Sequence, residues 1–557
     1  MMETMETTKT TNEYRVFGPP GTGKTTYLAR QIKRARQTYG GENVFVTSFT
    51  RAAAIEIASR DGVGLPKTSV GTLHAHCYRA LECHDIAENH FAEFNAEHPD
   101  MAITTDVDID DPFDVQPATN TGTEGYQEMQ RLRSMLIPPE MWPTNIRMLY
   151  NAWETWKRGN NLLDFTDLLE IALKEIPYAP NKPVVGFVDE AQDMTPLQFA
   201  LVRKWGSQMD MLILAGDDQQ CLYSFLGASP DSMLDPPLPE DHIIVLGQSY
   251  RVPKSILSWS ENIISKVKRR QKKEYKPREE DGKVVEGKVR LSQASAKDPS
   301  MLLLEVEKDM SRGKKIMVLA SCAYMLIPFI KLMREEGIAY HNPYRLKQGA
   351  WNPLNRGRGT SSAERLASFM RFSKNLWGGA ASPVWSAEDL QKWIPLIDSK
   401  VLKHGIKEKI KRAKPNDKFT IADVFSDEEA LAMVFGNEDK KLAWFEANLT
   451  AEGKKKMQYP LKILKKKPSQ IFDEPQVIIG TIHSVKGGEA DVVYVLPDLA
   501  RPQVKKWYGG DDDRDSLRRL YYVAGTRARE ELVLCTPSFG AHGFPLMEGL
   551  TCQKSLL

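Results

Sequence analysis

Short, continuous apolar runs rich in Val, Ile and Leu recur along the chain, separated by polar, helix-forming stretches. One set comprises residues 44–49 (VFVTSF), 184–190 (VVGFVDE), 211–217 (MLILAGD) and 242–248 (HIIVLGQ). A second comprises 315–321 (KIMVLAS), 477–483 (VIIGTIH), 491–497 (DVVYVLP) and 531–537 (ELVLCTP). Runs of this kind, bounded by turns and helices, mark strands of parallel sheets covered on both faces. Two regions, about 76–160 and about 346–470, lose the pattern and are rich in Lys, Glu, Trp and helix formers. Pro and Gly gather at 341–359, a plausible boundary. The pattern therefore predicts two α/β sheets, each interrupted by a mostly helical insertion, with no internal repeat.

A length of 557 residues calls for two to four domains. Lys and Arg number 75 against 73 Asp and Glu, so the formal charge is only +2 and any nucleic-acid affinity must come from local patches. Basic runs lie at 266–276, 403–414 and 454–467, and acidic ones at 106–114 and 510–515; each basic run reads equally well as solvated surface. The six cysteines, Cys77, Cys83, Cys221, Cys322, Cys535 and Cys552, lack a regular framework, so no disulfide is expected. His74, His76, Cys77, Cys83 and His84 offer zinc-ligand types, but their spacing fits no familiar zinc pattern. The first 17 residues lack an apolar core and no run approaches the ~18 residues of a membrane span, which suggests a cytoplasmic protein.

Residues 18–26, GPPGTGKTT, fit a phosphate-binding loop between a short apolar lead and a helix. Gly18, Gly21, Thr22 and Gly23 would turn backbone N–H groups toward phosphate, Pro19 and Pro20, which have no N–H, would shape the same ATP-binding loop, and Thr26 would continue the helix N-terminus. Lys24 would reach the β- and γ-phosphates, while Thr25 would hold Mg²⁺. Asp189 and Glu190 end an apolar run, where ligands gather in α/β sheets. Asp189 suits Mg²⁺ held through water, and Glu190 suits the orientation and deprotonation of an attacking water.

These and further motifs, in order and spacing, resemble superfamily 1 DNA helicases of the UvrD/Rep/PcrA family over most of the chain. Residues 47–54 (TSFTRAAA) resemble motif Ia, 71–74 (GTLH) motif Ib, 216–225 (GDDQQCLYSF) motif III and 249–251 (SYR) motif IV. Residues 480–489 (GTIHSVKGGE) resemble motif V and 518–528 (RRLYYVAGTRA) motif VI. The resemblance implies that Gln220 senses the γ-phosphate, Tyr250 stacks on the adenine, Arg251 contacts the γ-phosphate, Glu489 lies near the ribose and Arg527 is the arginine finger. Phe49, Tyr223 and Phe225 are the candidates for stacking on bases. Thr50, His74, Thr481 and His483 are implied contacts to the nucleic-acid backbone or bases.

The implied fold is α/β, with two RecA-like P-loop motor domains carrying parallel sheets and helical insertions. Motor domain 1A would be 1–75 plus 161–245, with insertion 1B at 76–160. Motor domain 2A would be 246–345 plus 471–545, with a short insertion 2B at 346–470 and a tail at 546–557. The implied activity is ATP- and Mg²⁺-dependent movement on single-stranded DNA, 3′ to 5′, with unwinding at single-strand/duplex junctions. No loading or repair partner is identifiable from the sequence.

The chain departs from the family at several points. No glutamine lies among the 17 residues before Gly18, which predicts weak discrimination among nucleotides, and motif III carries Phe225 and Leu226 where a tryptophan and a basic residue are usual. About 30 residues follow Arg527, so no fused nuclease domain is expected there. The short 2B favours, as an alternative, a translocase that strips proteins from single strands without unwinding. An RNA helicase of the Upf1-like branch shares the P-loop type. Intact Lys24, Glu190, Gln220 and Arg527 argue against a non-enzymatic scaffold.

Overall fold

The computed structural model describes residues 11–60, 63–104, 121–345, 351–354, 360–370, 384–427, 438–471, 473–538 and 542–550. The acidic run at 106–114 and Cys552 lie outside them. By contacts the chain forms two compact units, one of 1–290, 500–532 and 544–557, the other of 291–499 and 533–543.

The first sheet contains β1 (Glu13–Phe17), β2 (Val44–Ser48), β3 (Val70–Thr72), β4 (Val185–Asp189), β5 (Met211–Gly216) and β6 (Ile243–Val245). Its order is β3-β2-β4-β5-β1-β6 and every pairing is parallel. Successive residues of a strand face opposite sides of the sheet. Phe17, Phe45, Val188 and Leu214 accordingly join a core with Trp205 and Leu197 on one side. Val16, Val46, Phe187 and Ala215 join Leu28 and Ile32 on the other. Burial of both faces explains why these strands read as continuous apolar runs. The register pairs Phe17 with Gly216 and Ser48 with Asp189, so the motif residues that follow gather at one carboxyl edge of the sheet.

Helices Thr121–Ser134 and Thr144–Asn160 belong to the same unit. The second buries Ile146, Leu149, Trp153 and Trp156, a spacing that lays one stripe of a 3.6-residue helix inward, and Asn161 ends it in the left-handed conformation. Trp153 and Trp156 stack at 5.2 Å and, with Phe91, Phe94 and Tyr126, form an aromatic core.

The second sheet consists of β7 (Lys288–Leu291), β8 (Ile316–Ala320), β9 (Tyr340–His341), β10 (Val477–Thr481), β11 (Ala490–Val495) and β12 (Ala528–Leu534). It runs β9-β10-β8-β11-β12-β7, with β9-β10, β10-β8 and β8-β11 parallel. Within the second unit, helices Ser362–Met370, Ala387–Trp393 and Ala451–Lys466 belong to a helical region whose aromatic residues include Phe369, Trp385, Trp393 and Phe425. Among the described residues no helix is long and apolar enough to cross a membrane.

Candidate nucleotide and nucleic-acid site

The loop after β1 is tied to the sheet where Gly18 N–H donates to the Gly216 carbonyl at 3.1 Å. Gly21 and Gly23 have φ of 73° and 76°, which suits residues without a Cβ, and the 16-residue helix Lys24–Tyr39 begins directly afterwards. A Cβ on Gly21 would lie 2.5 Å from that of Arg251. The bare glycine thus admits segment 249–251 onto the loop. Tyr250 N–H donates to the Gly21 carbonyl at 2.8 Å, and the Ser249 and Tyr275 hydroxyls donate to the Pro20 carbonyl at 3.3 and 2.6 Å. Thr22 Oγ1 donates to the Pro19 carbonyl at 2.8 Å, and Lys24 Nζ donates to the Gly18 carbonyl at 2.6 Å. The Thr26 hydroxyl accepts from Arg60 at 2.9 Å.

Asp189 ends β4 with 1% of its surface exposed, and its Oδ2 accepts from Thr25 Oγ1 at 3.5 Å. Burial, and then the neighbouring Glu190, push its carboxyl up to about 7. The Thr25 hydroxyl, the buried Asp189 and the half-buried Glu190 supply hard oxygen donors, which fit Mg²⁺. Glu190 has φ of 53°, a left-handed conformation that costs a non-glycine residue roughly 1–3 kcal/mol and recurs at functional turns. Its Oε2 accepts from Gln192 Nε2 at 2.5 Å, while Gln192 Oε1 accepts the Asp217 N–H at 2.9 Å. Gln192 therefore joins the loops after β4 and β5.

In the loop after β5, Gln220 Nε2 donates to Asp217 Oδ2 at 2.8 Å, and Gln220 Oε1 accepts from Arg527 Nη2 at 3.3 Å. Arg527 is 1% exposed and also donates through Nε to the Val523 carbonyl at 3.0 Å. Lys273 Nζ lies 2.5 Å from Asp217 and 2.6 Å from Asp218.

The aromatic candidates differ in what they present. Tyr223 is 1% exposed and its ring stacks on Phe49 at 5.0 Å, so here it is a core side chain rather than an open base platform. Phe225 is 37% exposed and meets Tyr223 edge-on at 6.0 Å. The Thr50 hydroxyl accepts Ala53 N–H at 3.2 Å and so caps helix Arg51–Ser59. His74 packs edge-on against Phe165 at 5.8 Å, and desolvation lowers its imidazole to about 4, so it is neutral near pH 7. In the same cysteine and histidine region, His76 Nε2 lies 3.1 Å from the Val46 carbonyl and the Cys83 thiol donates to the Asp85 carbonyl at 3.2 Å.

Thr481, His483 and Glu489 belong to the second unit. Thr481 ends β10 and its Oγ1 accepts Ser484 N–H at 3.3 Å; His483 and Glu489 are half-buried. The other predicted site residues all lie in the first unit. Gln192, Lys273 and Tyr275 were not singled out by the sequence. Gln192 sits inside the acidic motif, but the two lie in a basic run that carries no mark of burial.

A glycine-rich loop opening a helix, with an acid pair at the carboxyl edge of a parallel sheet, defines a P-loop nucleotide-binding protein. The UvrD/REP helicase N-terminal domain matches residues 3–236 and the UvrD-like helicase C-terminal domain matches 448–538. The chain belongs to the UvrD/Rep/PcrA family of superfamily 1 helicases. It is 27% identical over 317 aligned positions to the ATP-dependent DNA helicase UvrD2 of Mycobacterium tuberculosis, covering 50% of this chain and 43% of UvrD2. It is 22% identical over 629 positions to the ATP-dependent DNA helicase PcrA of Staphylococcus aureus, covering 96% of this chain and 82% of PcrA. The match thus spans less than half the length of UvrD2.

Proposed function

We propose that this protein is an ATP-hydrolysing motor that moves 3′ to 5′ on single-stranded DNA and unwinds duplex at junctions. The observation that carries the proposal is the convergence of Lys24, the Thr25–Asp189 pair, Glu190 and the Gln220–Arg527 pair at one sheet edge. In this reading Lys24 and the loop amides hold the β- and γ-phosphates, and Arg251 and Arg527 meet the charge that develops during transfer. Thr25 and Asp189 would hold Mg²⁺, which when bound offsets phosphate charge. Glu190 accepts the proton of the attacking water, and Gln220 reports whether the γ-phosphate is present. Tyr250, 69% exposed beside Gly23, supplies the adenine face, and Glu489 the ribose contact.

Phe225 is the base platform that the Phe49–Tyr223 stack supports, and each base stacked contributes about 1–3 kcal/mol. His74, being neutral, contacts the strand as a hydrogen-bonding group rather than as a cation. Thr50, Thr481 and His483 complete the backbone contacts. The division into motor domains 1A and 2A with insertions 1B and 2B accompanies this reading. If two motor domains grip the strand unequally as ATP turns over, the cycle advances the protein.

ATP hydrolysis by wild type and Glu190→Gln, with and without unstructured single-stranded DNA, tests the proposal. Strong stimulation by DNA is expected, with the mutant losing roughly 10²- to 10⁴-fold in rate. Wild-type hydrolysis indifferent to DNA would defeat it, and equal stimulation by RNA would move the assignment to an RNA motor.

A further inference from the structure

The basic run 266–276 is exposed at most of its cations: Lys268 is 70% exposed, Lys276 54% and Arg269 52%. Lys273 is the exception, with a side chain 1% exposed between the fully buried carboxylates of Asp217 and Asp218. A buried ammonium is costly unless well paired, and three charges in so small a volume demand a tight geometry. The pocket supplies it. Asp217 Oδ1 also accepts Gln219 N–H at 3.2 Å, Asp218 Oδ2 accepts Gln271 N–H at 3.0 Å, and Gln219 Nε2 donates to the Gln271 carbonyl at 3.2 Å.

The consequence falls on Gln220. A carboxamide can flip, presenting either its oxygen or its NH₂ in a given direction. Here the NH₂ faces Asp217, which must remain an ionised acceptor, and the oxygen therefore faces Arg527. Burial acts to raise the Asp217 carboxyl, but Lys273, and then Lys24, hold it below its ordinary value.

We propose that Lys273 is a positioning residue for ATP hydrolysis: by clamping Asp217 and Asp218 it fixes the Gln220 amide with its oxygen toward Arg527. The proposal rests on the nucleotide-hydrolysis reading above. It gives one lysine of an apparently solvated run a place in the coupling of the γ-phosphate sensor to the arginine finger.

The test compares wild type, Lys273→Met and the double variant Lys273→Met/Asp218→Asn, which restores the net charge of the pocket. Steady-state kcat and KM for ATP are measured with and without single-stranded DNA, alongside melting temperature and ADP affinity. The expected result is a kcat lowered roughly ten-fold or more in both variants, with KM for ATP and ADP affinity within about three-fold of wild type. In the double variant the low kcat should persist although the melting temperature recovers. Recovery of kcat together with stability would make the lysine purely structural and overturn the proposal, as would an unchanged kcat or failure of both variants to fold. Wild-type hydrolysis without DNA stimulation would sink the motor reading alone, since the comparison then stands on the basal rate. Absence of any wild-type hydrolysis would remove both.

Discussion

Tyr250 leaves most of its ring in solvent while its backbone N–H is bound to the phosphate loop, so the side chain is presented rather than packed. A Cβ built on Gly23 would lie 3.8 Å from the ring, which places the aromatic face beside the N-terminus of the helix that follows. On the proposed reading, Tyr250→Ala should raise KM for ATP roughly 5- to 100-fold, the equivalent of about 1–3 kcal/mol of lost base stacking, with a smaller change in kcat. Steady-state kinetics would show it, and an unchanged KM would remove Tyr250 from the nucleotide site. Glu190 illustrates the opposite arrangement. Its backbone is strained and its carboxylate is held by Gln192, so the fold sets both its direction and its reach, as the proposed role of general base requires.

Helix Phe165–Glu175 shows how an element is anchored by charge. Asp164 and Asp167 form its capping box, and Arg133 and Lys157, both almost fully buried, pair with the same two carboxylates. Removing one partner from such a cluster strands a buried charge and typically costs about 3–5 kcal/mol. Glu88 sits beside this network, accepting the Tyr126 hydroxyl at 2.9 Å and Phe165 N–H at 3.1 Å. Burial, and then the Asp164 carboxylate, push its carboxyl up to about 8 from an ordinary 4.5. Between those values the folded chain holds a proton that the unfolded chain has released, so stability falls as pH rises from about 4.5 to about 8. Glu88→Gln should flatten that fall and be at least as stable as wild type at alkaline pH. Melting temperatures of both proteins across that range are the check, and an identical slope would contradict it.

At the scale of the molecule, a near-neutral net charge means that DNA affinity must come from placed groups rather than from overall field. A 3′-to-5′ motor should displace streptavidin from the 5′ end of a biotinylated single strand faster than from the 3′ end, and should separate a duplex bearing a 3′ tail. Faster displacement from the 3′ end would reverse the polarity, and displacement without strand separation would leave a translocase that clears bound proteins. The sequence by itself determined the two sheets, the phosphate loop and the acid pair, because each is written in contiguous residues whose local geometry carries its chemistry. The strands were legible as apolar runs except for short ones such as Val70–Thr72 and Tyr340–His341, whose few residues carry too little pattern. Tertiary structure alone decided that Tyr223 is enclosed by Phe49, that Gln192 bridges the loops after β4 and β5, and that Lys273 leaves its basic run for a pair of buried aspartates. Burial of a side chain depends on what distant segments the strand order brings beside it, and no local spacing encodes that.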